Sequence, residues 1–199
     1  MPFQSTLSIA KKSLRLDDEV HFLRSWMEKP LATGAVMPSG KPLARAMAKF
    51  VDPGLDGHVI ELGPGTGAVT AALVEQGIDP ARLVLVEFNP TFCRLLRGRY
   101  PDATVVQGDA YAIKRLLGGL LRQPAAAVVS GLPLFTKPLK FRLRLVDDAF
   151  ALLHPGAPFV QFTYAVVSPI PRSHAATAQC SERIWLNLPP ARVWVYRRG

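Results

Sequence analysis

Four short strings hold the residues whose types and spacing could do chemistry. The first is Glu61-Leu62-Gly63-Pro64-Gly65-Thr66-Gly67. Glycine at alternate positions lets a backbone turn sharply and approach a ligand closely, because no Cβ intervenes. The pattern G-x-G-x-G differs from the dinucleotide fingerprint G-x-G-x-x-G, and no Lys-Ser or Lys-Thr follows it, which disfavours a phosphate-cradling loop. An acid about 20 residues beyond such a loop is placed to accept hydrogen bonds from ribose hydroxyls. Glu87 stands there, followed by Phe88. The third string is Gly108-Asp109-Ala110, whose carboxylate can accept from an adenine amino group. The fourth, Ser130-Gly131-Leu132-Pro133-Leu134-Phe135, would lie where a transferred group is handed over. The set suits a cofactor made of an adenosine joined to an amino acid. The plainer alternative is that Glu61 and Asp109 cap helices or pair with Lys and Arg. Phe88 could pack on adenine or belong to the core.

All four strings end short apolar runs, and this repetition is what gives them weight. The runs are 58–62, 82–87, 103–107, 125–130 and 159–166. Helical stretches over 67–77, 90–99, 110–118 and 139–153 separate them, with Pro90 suited to a first helical turn and Gly118-Gly119 to a helix end. Continuous apolar strands alternating with helices predict a parallel sheet covered on both faces. The tail predicts two further strands, 183–188 and 192–197, joined by Pro189-Pro190 as a hairpin. The expected fold is therefore α/β, a Rossmann-like sheet of seven strands whose last pair is a hairpin. Open sheets of this kind bind ligands at the carboxyl ends of their strands, which is where the four strings fall.

A chain of 199 residues with 49% apolar and 20% charged residues has the composition of one folded domain rather than of a disordered segment. Two distant cysteines, Cys93 and Cys180, support neither a disulfide framework nor a zinc site, so no metal is expected. Cys93 reads as a packing residue. No apolar run is long enough for a membrane span, and no secretory signal opens the chain. The formal charge of +9 points to a polyanionic partner, either nucleic acid or an anionic membrane.

The first fifty residues hold eight Lys or Arg against four Asp or Glu. Phe3, Leu7, Ala10 and Leu14 share a helical stripe with Lys11, Lys12 and Arg15 beside it, a pattern able to lie in a membrane interface. A merely solvated basic face is the equal alternative. Leu16, Val20, Leu23 and Met27 fall on a roughly opposite stripe, so the helix either breaks near Asp17-Asp18 or serves two surfaces. Ser39 is positioned to cap a further helix through 44–48.

The string 59–70 (VIELGPGTGAVT), the step Glu87-Phe88-Asn89-Pro90 and the segment 131–135 (GLPLF) resemble bacterial phosphatidylethanolamine N-methyltransferases, in the soluble branch related to ribosomal RNA adenine dimethylases. The N-terminal strings 22–26 (FLRSW), Lys29-Pro30 and 33–39 (TGAVMPS) resemble the same group. The resemblance implies a class I methyltransferase that uses S-adenosyl-L-methionine and releases S-adenosyl-L-homocysteine. Its substrate would be phosphatidylethanolamine, methylated stepwise to the monomethyl and dimethyl lipids and phosphatidylcholine. It implies cofactor contacts from Glu61, Gly63, Gly65 and Glu87, and together with the strand-end pattern the expected set is Glu61, Gly63, Gly65, Gly67, Glu87, Phe88, Gly108, Asp109, Ala110, Ser130 and Gly131. Membrane contact would come from Phe3, Leu7, Lys11, Lys12, Leu14 and Arg15. Residues 1–50 would form a docking and lid segment and 51–199 the catalytic domain. The expected setting is the cytoplasm of a bacterium, peripherally on the inner membrane, with no nucleic-acid partner.

RNA adenine dimethylases provide the alternative. They end the fourth strand in Asn-x-Pro plus an aromatic residue, which hold and stack a flipped base. Here Gly131 and Leu134 occupy those positions, with Phe135 one step further on. They also carry a helical domain after the sheet, where this sequence ends with its tail strands. The proton acceptor is not legible. Tyr164, near the end of the fifth apolar run, could orient an amine or serve as core; His154 reads as structural, and His21 shares a helix with Trp26.

Overall fold

In the computed structural model, residues 40–175 and 177–198 are described. Seven strands form one sheet in the order β3-β2-β1-β4-β5-β7-β6, with β1 Val59–Leu62, β2 Leu83–Glu87, β3 Thr104–Gln107, β4 Ala127–Ser130, β5 Phe159–Thr163, β6 Thr177–Cys180 and β7 Arg192–Arg197. The first five are parallel, and β7 runs antiparallel to both β5 and β6. Chain order reverses between β1 and β4, so a crevice opens at their carboxyl ends.

Each central strand is buried on both faces because its alternate side chains feed two cores. Val59, Leu83, Leu85, Val129, Val160 and Val195 face one layer, packed with α1 (Lys41–Ala48), α2 (Ala68–Glu75) and α3 (Pro90–Arg99). Ile60, Leu62, Val84, Val86, Val128 and Phe159 face the other, packed with α4 (Ile113–Leu117) and α5 (Leu139–Phe150). This two-sided demand is why β1, β2 and β4 read as unbroken apolar runs. Helix α1 puts Leu43, Ala44, Met47 and Ala48 into the first core, so residues 40–50 share the packing of the sheet unit. Ser39 and the segment 1–38 lie outside the described residues, as do the expected membrane contacts and His21.

Local chemistry sets the element ends. Asn89 Oδ1 accepts from the Thr91 N–H at 2.8 Å, and Pro90 opens α3 behind it. Asp109 Oδ1 accepts from the Tyr111 N–H at 2.9 Å, capping a 3-10 turn over 110–112 that leads into α4, so the helix expected over 110–118 is split in two. At the amino edge of the sheet, Arg82 donates to the carbonyls of Gly57 at 3.0 Å and Pro53 at 2.7 Å, and also to Leu55.

The tail departs from expectation. The sixth strand is Thr177–Cys180, whereas 183–188 forms a connecting loop closed by a single bridge between Ile184 and Ala191. Thr177–Cys180 is a polar edge strand with alternating exposure and carries no apolar run to betray it. The more apolar 183–188 segment instead leaves Trp185, Leu186 and Leu188 exposed while Asn187 turns inward. Likewise β5 ends at Thr163, short of the expected Val166.

Candidate active site

The four strings identified from the sequence meet at one edge of the sheet. Glu61 lies inside β1, 1% exposed, and accepts a 2.7 Å hydrogen bond from the Thr70 hydroxyl on α2. Burial in this apolar layer pushes its carboxyl up to about 7; the Thr70 bond opposes the shift and the nearby Glu87 adds to it. The chain then turns through Gly63, Gly65 and Gly67, all at positive φ, into α2. A Cβ built on Gly65 would meet nothing within 4 Å, so its backbone borders open space rather than packed protein.

Glu87 ends β2 beside this loop. Its Oε2 accepts from the Gly65 N–H at 3.0 Å and its Oε1 from the Asn89 N–H at 2.8 Å. One carboxylate therefore ties the tip of the glycine loop to the start of α3, and each oxygen keeps a lone pair for a further donor. Phe88, next in sequence, is 74% exposed, which removes it from the core. At the end of β3, the Gly108 N–H donates to the Glu87 carbonyl at 3.0 Å, bringing Gly108, Asp109 and Ala110 alongside Glu87. Asp109 is exposed and Ala110 buried. Cys93 is fully buried; its thiol donates to the Glu87 carbonyl at 3.4 Å, and burial raises its pKa, in keeping with a packing role.

β4 completes the edge. Ser130 is buried, and its Oγ accepts from the Leu132 N–H at 3.3 Å. The Gly131 N–H donates to the Leu62 carbonyl at 2.8 Å, and a Cβ at Gly131 would lie 2.8 Å from the Gly63 carbonyl oxygen. That close approach brings the fourth string against the first. Leu134 is 2% exposed and packs in the core, and Phe135 lies under the Arg142 guanidinium, 5.0 Å from its ring centroid. The position where an adenine dimethylase presents a stacking ring is thus a core leucine.

Two residues at this edge were not anticipated. Gln161 on β5 is fully buried and donates to the Leu132 carbonyl at 2.9 Å and the Phe162 carbonyl at 2.7 Å. A glutamine inside an apolar run was the available signal. Asn187, 3% exposed, accepts from the Gly40 N–H at 2.8 Å, donates to the Pro189 carbonyl at 2.7 Å and hydrogen-bonds Tyr164. Nothing in its sequence context marks it. Tyr164 follows β5 directly and packs edge-on to Phe162 at 5.3 Å; burial raises its hydroxyl pKa, partly offset by Asn187. His154 lies at the opposite edge, its N–H donating to the Ala125 carbonyl at 3.0 Å.

No family model matches the chain. It is 30% identical over 145 residues to ornithine lipid N-methyltransferase of Singulisphaera acidiphila, covering 71% of this chain and 76% of that protein. It is 32% identical over 127 residues to ribosomal RNA small subunit methyltransferase A of Geobacter sulfurreducens, covering 61% of this chain and 45% of that protein. The chain thus spans less than half of that second relative. Among solved structures, TrmN from Thermus thermophilus superposes with a TM-score of 0.61 at 16% identity, over 86% of this chain and 53% of that one, which speaks for the fold alone. A reversed strand order with a glycine turn at its switch point, and a lipid N-methyltransferase relative aligned over three quarters of its length, agree: the chain belongs to the class I S-adenosylmethionine-dependent methyltransferases, with homology to ornithine lipid N-methyltransferase and ribosomal RNA adenine methyltransferases.

Proposed function

We propose that the protein methylates the primary amine of a membrane phospholipid, phosphatidylethanolamine, in successive steps toward phosphatidylcholine. The observation that carries this reading is Leu134: a buried core leucine, following Gly131, at the place a nucleobase methylase needs an amide and a ring. The lipid N-methyltransferase relative supports the same substrate class.

The residues present fit S-adenosylmethionine. Gly65 borders open space, Glu87 retains acceptor capacity for ribose hydroxyls, Phe88 offers an exposed ring for adenine, and Glu61 is a buried carboxyl suited to an ammonium group. Gly63, Gly67, Gly108, Asp109, Ala110, Ser130 and Gly131 would line the remainder. When bound, the cofactor supplies an electrophilic methyl group. The chain's own task is positioning: Gln161 holds the Leu132 carbonyl beside the handover point, and Tyr164 is the candidate for orienting the incoming amine. Residues 1–39 would bring the enzyme to an anionic surface through Phe3, Leu7, Lys11, Lys12, Leu14 and Arg15. No helix among the described residues is long and apolar enough to cross a membrane.

The test is transfer of labelled methyl from S-adenosylmethionine to phosphatidylethanolamine vesicles, with unmodified ribosomal RNA in parallel. Label in the lipid alone is the expected result. Label in RNA alone overturns the substrate assignment and recasts the basic N-terminus as an RNA-binding surface.

A further inference from the structure

The loop between β6 and β7 places three large apolar side chains in water within four residues. Trp185 is 71% exposed, Leu186 84% and Leu188 77%. The loop is nevertheless anchored. Ile184 and Ala191 exchange backbone hydrogen bonds of 2.8 and 3.3 Å at its base, and between the exposed residues Asn187 points inward to hold Gly40 and Pro189. Arg183 lies over the Trp185 ring at 5.3 Å. An anchored loop with three apolar side chains turned outward is unusual for a monomeric surface, where exposed apolar groups are scattered singly.

Its position in the fold is specific. β7 starts at Arg192 opposite Thr163, the carboxyl end of β5, so the loop stands on the same edge as the glycine turn, Glu87 and Gly131. The chain also enters the described fold here, at Gly40, on the side chain of Asn187.

We propose that Trp185, Leu186 and Leu188 insert into the interface of an anionic bilayer and hold the carboxyl edge of the sheet against it. The proposal rests on the lipid-substrate reading and adds to it a contact separate from the N-terminal segment. A membrane-resident amine can reach this site only if that edge faces the lipid, and the loop is an apolar prominence of that edge, on which Phe88 is exposed as well. Lys41, Arg183 and Arg192 flank the loop against a single acid, Glu182, within an overall charge of +9, which complements anionic headgroups. Tryptophan with arginine beside it suits the headgroup boundary, where a ring is half wet. A second copy of the chain is the weaker occupant, because stable protein interfaces take about 800 Å² per partner, more than a four-residue tip provides.

The test combines two measurements on the full-length protein. The triple variant Trp185→Ser, Leu186→Ser, Leu188→Ser removes only exposed side chains and should keep its circular dichroism and cofactor affinity. Its partition onto phosphatidylethanolamine–phosphatidylglycerol vesicles should weaken by about tenfold or more, because each lost side chain forfeits apolar burial. In a Trp26→Phe background only Trp185 and the buried Trp194 emit, and the difference from the matching Trp185→Phe protein isolates Trp185. Its emission should shift to the blue with vesicles and be quenched by lipids brominated on the acyl chain. Undiminished partition of the triple variant overturns the proposal. So does Trp185 that brominated lipid fails to quench, or that is shielded from iodide before any vesicle is added, which would mean residues 1–39 or a second copy already cover it. Partition is read without turnover, and methyl transfer is read separately on detergent-dispersed lipid. A failure of the substrate assignment therefore shows in the second measurement, and a failure of the loop proposal in the first.

Discussion

The Thr70 hydroxyl donates to Glu61 Oε2 across 2.7 Å of buried space, joining the first strand to the helix that follows the glycine turn. The contact satisfies one oxygen of a carboxyl whose burial raises its pKa from 4.5 to about 7. Between those two pH values the folded protein keeps a proton that the unfolded chain has lost, so stability falls as pH rises through this window and levels off above about 7. Glu61→Gln keeps an acceptor for Thr70 without the charge. We expect it to melt higher than the parent at pH 8, to match it near pH 4, and to lose S-adenosylmethionine affinity. Thermal melts across this range and calorimetry at pH 8 measure the two effects. For the parent, cofactor affinity should rise with pH toward 8, because the ionised carboxylate is the form that attracts an ammonium group.

Gly65 and Gly131 fail differently when changed. Gly65→Ala meets no neighbour but strains a φ of +55°, at a cost of about 1 kcal/mol, and should weaken cofactor binding far more than it lowers stability. Gly131→Ala forces a methyl to 2.8 Å from the Gly63 carbonyl and should destabilise the fold by about 1–3 kcal/mol as the ends of β1 and β4 separate. Denaturant melts beside calorimetry distinguish the two variants.

Phe88→Ala should leave stability within about 0.5 kcal/mol of the parent, since the ring is solvent-exposed. Cofactor affinity should fall several-fold if the ring covers adenine. An unchanged dissociation constant would assign Phe88 to surface alone.

Gln161→Leu removes one of two donors to the Leu132 carbonyl, which keeps the Leu134 N–H at 3.0 Å, and should cost about 1 kcal/mol. Methyl transfer should slow at saturating cofactor while cofactor affinity holds, because Gln161 holds the Leu132 carbonyl beside the proposed handover point. Rates with each substrate held saturating separate these terms.

Much of this arrangement was legible because parallel strands between two helical layers must be apolar on both faces. Four of the five such runs, each closed by a glycine or an acid, located Glu61, Gly65, Glu87 and Gly131 on one edge. Pro90 announced the start of α3. Other features were hidden for physical reasons. Thr177–Cys180 is an edge strand whose alternating polar residues have no interior to fill, while the apolar 183–188 segment imitated a strand and turned its side chains to solvent. Gln161 and Asn187 work through amides that reach main-chain atoms far away in sequence, and no local pattern encodes such partners.

Arg82 shows how the molecule separates robustness from activity. Its guanidinium gathers the Pro53, Leu55 and Gly57 carbonyls at the amino ends of the strands, while the described residues proposed to meet cofactor or lipid lie at their carboxyl ends. The span of the sheet insulates one set from the other. Substitutions that alter the choice of amine can therefore accumulate at one rim while the opposite rim keeps the chain folded, giving the scaffold room to change substrates without first surrendering its shape.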